Sequence, residues 1–308
     1  MAITLLLLQK ILQLFVFMAL GFLLVKFSVV KSDESLVLSK ISLWLLMPSA
    51  IINAFDVELT KELISGILLA YGAAIVMHII LLLVNFVFKK VFKANGLELA
   101  CVMYSNAANL IIPIVSFVLG DEWVIYSCAF MSVQQTFMWT HGIRLFSETK
   151  EINIKKILLN VNIIAIIIGF VMMISGAKLP VFVKDITSSL AGMVGVTGMI
   201  IAGMLAAKIN FKEVIKNKRL YLISAMRMLV CPLIMLIIVK SILLFTNIED
   251  AHYILLIVFL ASITPCAATL MQLSQIYDRQ PDFAVAVNIV TTLLCIITMP
   301  VFVMIYSL

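Results

Sequence analysis

Hydrophobic residues run in long stretches along this chain, and short charged segments separate one stretch from the next. Most stretches hold about 20 residues or more, enough for a helix to cross a hydrocarbon core of roughly 30 Å. The short alternating segments typical of membrane β-barrels are absent from the sequence. The pattern predicts an all-α polytopic membrane protein. Ten spans fit it, with approximate bounds 4–26, 36–55, 63–88, 97–119, 123–146, 156–175, 180–207, 219–245, 252–276 and 283–306.

Composition supports this class. Hydrophobic residues make up 64% of the 308 residues and charged residues 12%, whereas a soluble domain carries roughly 25% charged residues. The apolar N-terminal segment "LLLLQKILQLFVFMALGFLLV" lacks a small-residue cleavage site, so we expect a retained first span rather than a signal peptide. The five cysteines lie inside apolar stretches without CxxC spacing, which favours buried small side chains over a disulfide or metal framework.

Positive charge is unevenly distributed between the two sides that ten spans define. Of the 22 Lys and Arg residues, 16 fall on the connectors after odd-numbered spans, four fall on the opposite side, and Lys10 and Arg227 fall within spans. Because cytoplasmic connectors are enriched in Lys and Arg, the basic connectors are predicted to be cytoplasmic. The protein is therefore expected to be a multi-pass protein of the cell membrane with both termini outside.

Ten spans divide into two sets of five at the basic segment "SETKEINIKK". We expect a first repeat at 1–146, a cytoplasmic connector at 147–156 and a second repeat at 157–308. Five is odd, so the repeats would be inverted in the membrane. Pro113 and Pro265 both lie in the fourth span of their half. Interrupted spans at corresponding places in two halves indicate a transporter site.

A proline inside a helix removes one amide proton and displaces the carbonyl four residues earlier. The freed carbonyls would be those of Asn109 and Ala261, and each must find another partner in hydrocarbon. A broken helix also places half-helix ends, with partial charges of roughly +0.5 and −0.5, within the membrane. The N-terminal end of such a half-helix can bind an anion without a lysine.

Polar side chains surround both predicted breaks. Asn106 and Asn109 precede Pro113, and Thr264 precedes Pro265; with the prolines, they are candidates for binding a carboxylate. The alternative is that these side chains join helices and that the prolines only bend them.

Five further polar residues lie inside spans. Gln134 and Gln135 are adjacent, so at most one faces a given cavity; Gln135 is the candidate for the site. His78 either carries a proton or is a neutral buried histidine with a backbone partner. Arg227 either reaches the cytoplasmic interface or faces an anion on its path. Gln272 is a candidate for the ion or anion path.

Signatures of other classes are missing from the sequence. There is no HExxH, GxSxG or P-loop motif, and the three histidines lack metal-ligand spacing. A potassium-channel filter motif is also missing. We therefore expect no enzyme activity, no cofactor, no metal and no nucleic-acid partner.

The order of several segments resembles the auxin efflux carrier family, in particular its bacterial malate-permease-like branch, which is related to plant PIN-type auxin carriers. The resemblance extends over nearly the whole chain. The segments that carry it are "LWLLMPSAII", "YSNAANLIIPIVSFVLGDEWVIY", "WTHG", "LLNVNIIAIIIGF", "AMRMLVCPL" and "SITPCAATLMQLSQIYDRQPDFA".

The resemblance implies ten helices in two inverted five-helix repeats, similar to sodium/bile-acid symporters. Spans 1, 2, 6 and 7 would form a scaffold, with a possible homodimer through it, and the other spans would form a transport unit. Spans 4 and 9 would cross at Asn106, Pro113 and Pro265, and the substrate would move by an elevator mechanism. Ile112 stands where the family usually has glycine.

These observations lead to one expectation and two alternatives. The expected function is secondary transport, by export, of a small organic anion such as a dicarboxylate or an auxin-like carboxylate. The alternatives are a non-transporting receptor or scaffold on a carrier fold, and a channel.

Overall fold

The computed structural model describes most of the chain. The described residues are 2–56, 61–107, 110–111, 114–115, 119–120, 123–146, 159, 161–208 and 216–308, with the backbone alone for 2–8, 10–11 and 61–62. Asn109, Ile112 and Pro113 lie outside them.

Helices account for almost all regular structure in these ranges, as the apolar stretches predict. In chain order they are α1 (Ala2–Lys26), α2 (Ser32–Ala54), α3 (Lys61–Phe92), α4 (Gly96–Met103), α5 (124–146), α6 (Val161–Ser175), α7 (Val181–Ala206), α8 (Lys218–Phe245), α9 (Ala251–Ile263), α10 (Ala268–Ile276) and α11 (Pro281–Ser307).

Five stretches of helix in the described ranges are long and apolar enough to cross a membrane: Ser32–Ala54, Leu63–Phe92, Val181–Ala206, Lys218–Phe245 and Pro281–Ser307. Leu12–Lys26, Val161–Ser175 and Ala251–Ile263 are apolar but shorter. This agrees with a polytopic membrane protein. The count of ten crossings and the side on which each connector lies stay predictions.

Two internal prolines are accommodated by wider helical turns. A π-helical turn at Ser42–Leu46 precedes Pro48 in α2, and another at Met226–Val230 precedes Pro232 in α8. Such a turn rearranges the hydrogen bonds that a proline would otherwise break. Both helices therefore continue past their prolines.

The most extensive helix contacts fall into two groups, which also contact each other where α7 and α1 pack on α11. α1 packs most extensively on α7, and α2 packs on both α7 and α6. In the second group, α3 and α9 pack on α5 and on each other, α8 packs on α9, and α10 packs on α11. The first group contains the helices that the family resemblance assigns to the scaffold. Whether the groups move as separate bodies stays a prediction.

Two glycines allow α1 and α7 to approach closely. A β-carbon built on Gly21 would overlap the backbone of Ile200, and one built on Gly203 would overlap the carbonyl oxygen of Met18. Small residues let membrane helices pack backbone to backbone, because lipid provides no hydrophobic force between them. The contact between α1 and α7 therefore depends on these glycines.

We predict that Gly203→Val separates α1 from α7 and lowers the thermal unfolding temperature of the purified protein by several degrees. Overpacking of a close contact costs about 1–3 kcal/mol. Gly192→Val is the matched control, because a β-carbon at Gly192 on the same helix meets no atom within 4 Å. Equal unfolding temperatures for the two variants would contradict the proposed packing.

Candidate functional site

Two apolar helices end where the chain becomes extended. α4 ends at Met103, and Tyr104 has extended backbone angles (φ −95°, ψ 125°). α9 ends at Ile263, Thr264 is extended (φ −62°, ψ 162°), and α10 begins at Ala268. A first break therefore follows Met103, whereas the break predicted at Pro113 lies outside the described residues. The second break is at Pro265, as predicted.

The two extended segments pair as a short antiparallel bridge, centred on Ser105 and Cys266, and this paired region is called the crossing below. The Asn106 N–H donates to the Pro265 carbonyl at 2.9 Å, and the Ala267 N–H donates to the Tyr104 carbonyl at 3.0 Å. Each segment supplies hydrogen-bond partners for backbone groups of the other segment, where the helix has ended. The crossing thereby meets the requirement that buried backbone groups be hydrogen-bonded.

Tyr104 anchors the first break by its side chain. Its ring is fully buried, and its hydroxyl donates to the Phe137 carbonyl at 2.9 Å. Nδ1 of His141 lies 2.9 Å from the same hydroxyl and donates to it, since the single hydroxyl proton is already used. The π-helical turn at Met138–Gly142 places His141 beside this hydroxyl. The extended segment is thus fixed by α5 without a proline.

The carbonyl that Pro265 frees has a local partner. The Thr264 hydroxyl donates to the Ala261 carbonyl at 3.1 Å. The prediction that this carbonyl finds another partner is confirmed. Thr264 is fully buried, and its hydroxyl proton is used within its own segment.

Amide and hydroxyl side chains bind the outer edges of the bridge. Oε1 of Gln134 accepts from the Ser105 N–H at 3.0 Å and from its hydroxyl at 2.5 Å, and Nε2 of Gln134 donates to the Ser105 carbonyl at 2.8 Å. On the other segment, Asn288 donates to the Cys266 carbonyl at 2.6 Å, and the Cys266 N–H donates to Thr291 at 3.1 Å. Both bridge residues are therefore hydrogen-bonded on both sides.

Arg227 joins the C-terminal ends of the two broken helices. Its Nε and Nη2 donate to the Thr264 carbonyl at 3.1 and 2.8 Å, and Nη2 donates to the Ser262 carbonyl at 2.6 Å. Nη1 donates to the carbonyls of Val102 at 3.1 Å and Met103 at 3.4 Å. The guanidinium thus meets the negative ends of α4 and α9 together.

The burial of Arg227 corrects one sequence interpretation. The side chain is fully buried, so the alternative in which it reaches the cytoplasmic interface is wrong. Arg227 lies in the π-helical turn Met226–Val230, which turns it toward the crossing instead. At an interface, water would accept hydrogen bonds from the guanidinium, and here the carbonyls of the two helix ends accept them instead.

The opposite pole of the crossing is the N-terminal end of α10. The side-chain oxygen of Asn106 accepts from the Ala268 N–H at 3.5 Å, so Asn106 joins the first break to the start of α10. Thr269 and Gln272 are three residues apart and share one face of this helix. Oε1 of Gln272 is buried and has no hydrogen-bond partner among the described residues. A buried acceptor without a partner needs a donor from outside the described residues, such as water or a ligand.

Two candidates have partners away from the bridge. Gln135 lies 3.6 Å from Met47 Sδ and accepts from the Trp139 indole at 3.0 Å. Gln134, its neighbour, is the one that reaches the crossing. His78 is fully buried, with Nδ1 2.7 Å from the Ala74 carbonyl, which is the backbone partner that one sequence interpretation gave it.

Sequence reasoning did not single out Tyr104, Asn288 or Thr291. The spacing of Asn288 and Thr291 on α11 gives a weak signal, because residues three apart share a helix face. Within the described residues, no group of three or more His, Cys, Asp or Glu could hold a metal ion.

A family model described as membrane transport protein matches the chain twice, at residues 6–153 and 146–303. The two matches together extend over nearly the whole chain, one on each half. Comparison with curated proteins finds no match. The chain belongs to the membrane transport protein family, which includes the auxin efflux carriers.

Proposed function

We propose that this membrane transporter is a secondary carrier for a small organic anion, such as a dicarboxylate or an auxin-like carboxylate. The observation that carries the proposal is the polarity of the crossing. The negative ends of α4 and α9 are bound by Arg227, whereas Gln272, four residues after the start of α10, has an unpaired buried oxygen. The ligand is therefore proposed to bind at the positive pole.

The chemistry of this pole suits a carboxylate with a further polar group. The first backbone N–H groups of a helix stabilise negative charge without a lysine. The amides of Asn106 and Gln272 supply directional contacts, and the amide of Gln272 can accept from a hydroxyl or N–H of the ligand. Neutral contacts also permit release, because a carrier must not hold its substrate too tightly.

We also propose elevator-type alternating access, with α1, α2, α6 and α7 as the scaffold. Besides the packing of α7 and α1 on α11, three side-chain contacts join the groups. Gln275 on α10 hydrogen-bonds Ser35 at 3.1 Å and Ser39 at 3.3 Å, both on α2, and Gln135 contacts Met47. Single polar contacts of this kind can be exchanged when one group slides past the other. A homodimer through the scaffold, inverted repeats at 1–146 and 157–308, and binding roles for Asn109 and Pro113 remain part of this proposal.

Export is the direction that we propose. An inside-negative membrane potential favours outward movement of negative charge, by about 2.3 kcal/mol per charge for 100 mV. The uneven distribution of Lys and Arg supports both termini outside.

Counterflow of a labelled dicarboxylate into proteoliposomes tests the function. The purified protein should give saturable counterflow, and Asn106→Ala should abolish it, because the variant loses the amide that joins the crossing to α10. Asn247→Ala, the same change at an exposed connector position, is the control and should transport normally.

The assay also separates the alternatives. Binding of carboxylates without counterflow would indicate a receptor, and non-saturable flux would indicate a channel. Neither binding nor counterflow across a panel of mono- and dicarboxylates would contradict an organic-anion carrier.

A charge placed at the positive pole tests where the anion binds. Gln272→Glu should weaken dicarboxylate binding about ten-fold or more, because two like charges would share a buried site. The control Gln280→Glu adds the same charge at an exposed position before α11. Dicarboxylate binding measured by thermal shift should fall in the first variant alone, and unchanged binding in Gln272→Glu would place the site elsewhere.

A further inference from the structure

Two helix C-termini meet inside the apolar part of this protein. Each carries a partial charge of roughly −0.5, and hydrocarbon offers no water to offset it. Two such ends facing each other repel, so a positive charge is needed between them. A bound metal cation could supply this charge, and so could a side chain.

We infer that Arg227 is this charge, a built-in cation that positions the crossing, so that transport needs no bound sodium ion or other metal cation. The inference rests on the proposed carrier function and deepens it. It concerns the negative pole of the crossing, whereas the anion is proposed to bind at the positive pole.

The hydrogen bonds of Arg227 fit this role. All three nitrogens of the guanidinium donate, and each acceptor is a main-chain carbonyl. Two of these carbonyls belong to the end of α4 and two to the end of α9. A planar group with five donors can hold several carbonyls in one arrangement, which the point charge of a lysine does less well. The two helices are joined by one side chain from a third helix.

The same geometry argues against direct binding of the substrate by Arg227. Its donors point to carbonyls at 2.6–3.4 Å, so an anion would have to displace them. Displacement would leave buried carbonyls unpaired, at a cost of about 1–3 kcal/mol each. Arg227 therefore acts on the substrate through the crossing, as a positioning residue.

The side chains around the guanidinium leave its charge for the helix ends. The titratable groups that interact with it are the thiols of Cys101, Cys231, Cys266 and Cys295 and the imidazole of His78. A carboxylate is not among these groups in the described part of the chain. A carboxylate there would pair with Arg227 and neutralise its charge, so the two helix ends would again repel each other. The roughly −0.5 charges of two ends together match one guanidinium.

Chemical rescue of a truncated side chain tests the inference. Arg227→Ala should lose about ten-fold or more of dicarboxylate counterflow, because removing a buried charged partner is strongly destabilising. Millimolar guanidinium chloride should restore part of it by occupying the vacated space, and Arg227→Lys should retain more counterflow than Arg227→Ala. Arg219→Ala is the control: Arg219 binds the Phe92 carbonyl at the exposed end of α3, and guanidinium should not stimulate this variant.

Cation replacement in the unmodified protein keeps the inference testable if Arg227→Ala does not fold. Counterflow should be equal in sodium, potassium and choline salts. A requirement for sodium would overturn the inference, as would full counterflow in Arg227→Ala or a folded Arg227→Ala that guanidinium does not stimulate.

The role of Arg227 can also be separated from the proposed function. If the unmodified protein transports no organic anion, the carrier proposal fails. Thermal unfolding then tests Arg227 by itself: guanidinium should raise the unfolding temperature of Arg227→Gln and leave that of Arg219→Ala unchanged. Equal responses of the two variants would overturn the inference.

Discussion

Inside a bilayer, every backbone N–H and carbonyl must find its hydrogen-bond partner within the protein, and the crossing of two broken helices depends on this constraint. The break after Met103 and the break after Ile263 each release groups that one helix cannot pair. The antiparallel bridge between Ser105 and Cys266 pairs these groups across the two segments. Neither break satisfies its backbone alone, so we expect the two to form together.

The crossing also separates charge. Two C-terminal helix ends meet at the Arg227 guanidinium, which binds their carbonyls, and Gln272, four residues after the start of α10, has an unpaired buried oxygen. The start of α10 thus provides a positive pole that needs no lysine or arginine. This arrangement suits a carrier, which has to bind an anion inside the membrane and release it again. The family match on both halves of the chain agrees with a membrane transporter.

The sequence predicts how a residue affects its own helix, but it does not predict which residues from different helices meet. The second break follows from Pro265, whose missing N–H and ring act on its own helix. The first break could not be placed at Tyr104 from the sequence, because it is held by contacts from α5 and by the bridge. Gln134 and Gln135 are adjacent and chemically identical, so only the rotation of α5 decides which reaches the bridge. The partners of Arg227 lie on other helices. The apolar pattern also gives no signal for the π-helical turn that directs the Arg227 side chain toward the crossing.

Labelling at the start of α10 tests most directly that this end of the crossing is the anion site. Thr269→Cys places a thiol on the face shared with Gln272, while the five native cysteines are buried. If the anion binds here, a small maleimide should modify this thiol in membranes, and the transported dicarboxylate should protect it in a concentration-dependent manner. If none of the transported carboxylates lowers the rate of modification, the anion does not bind at this end of the crossing.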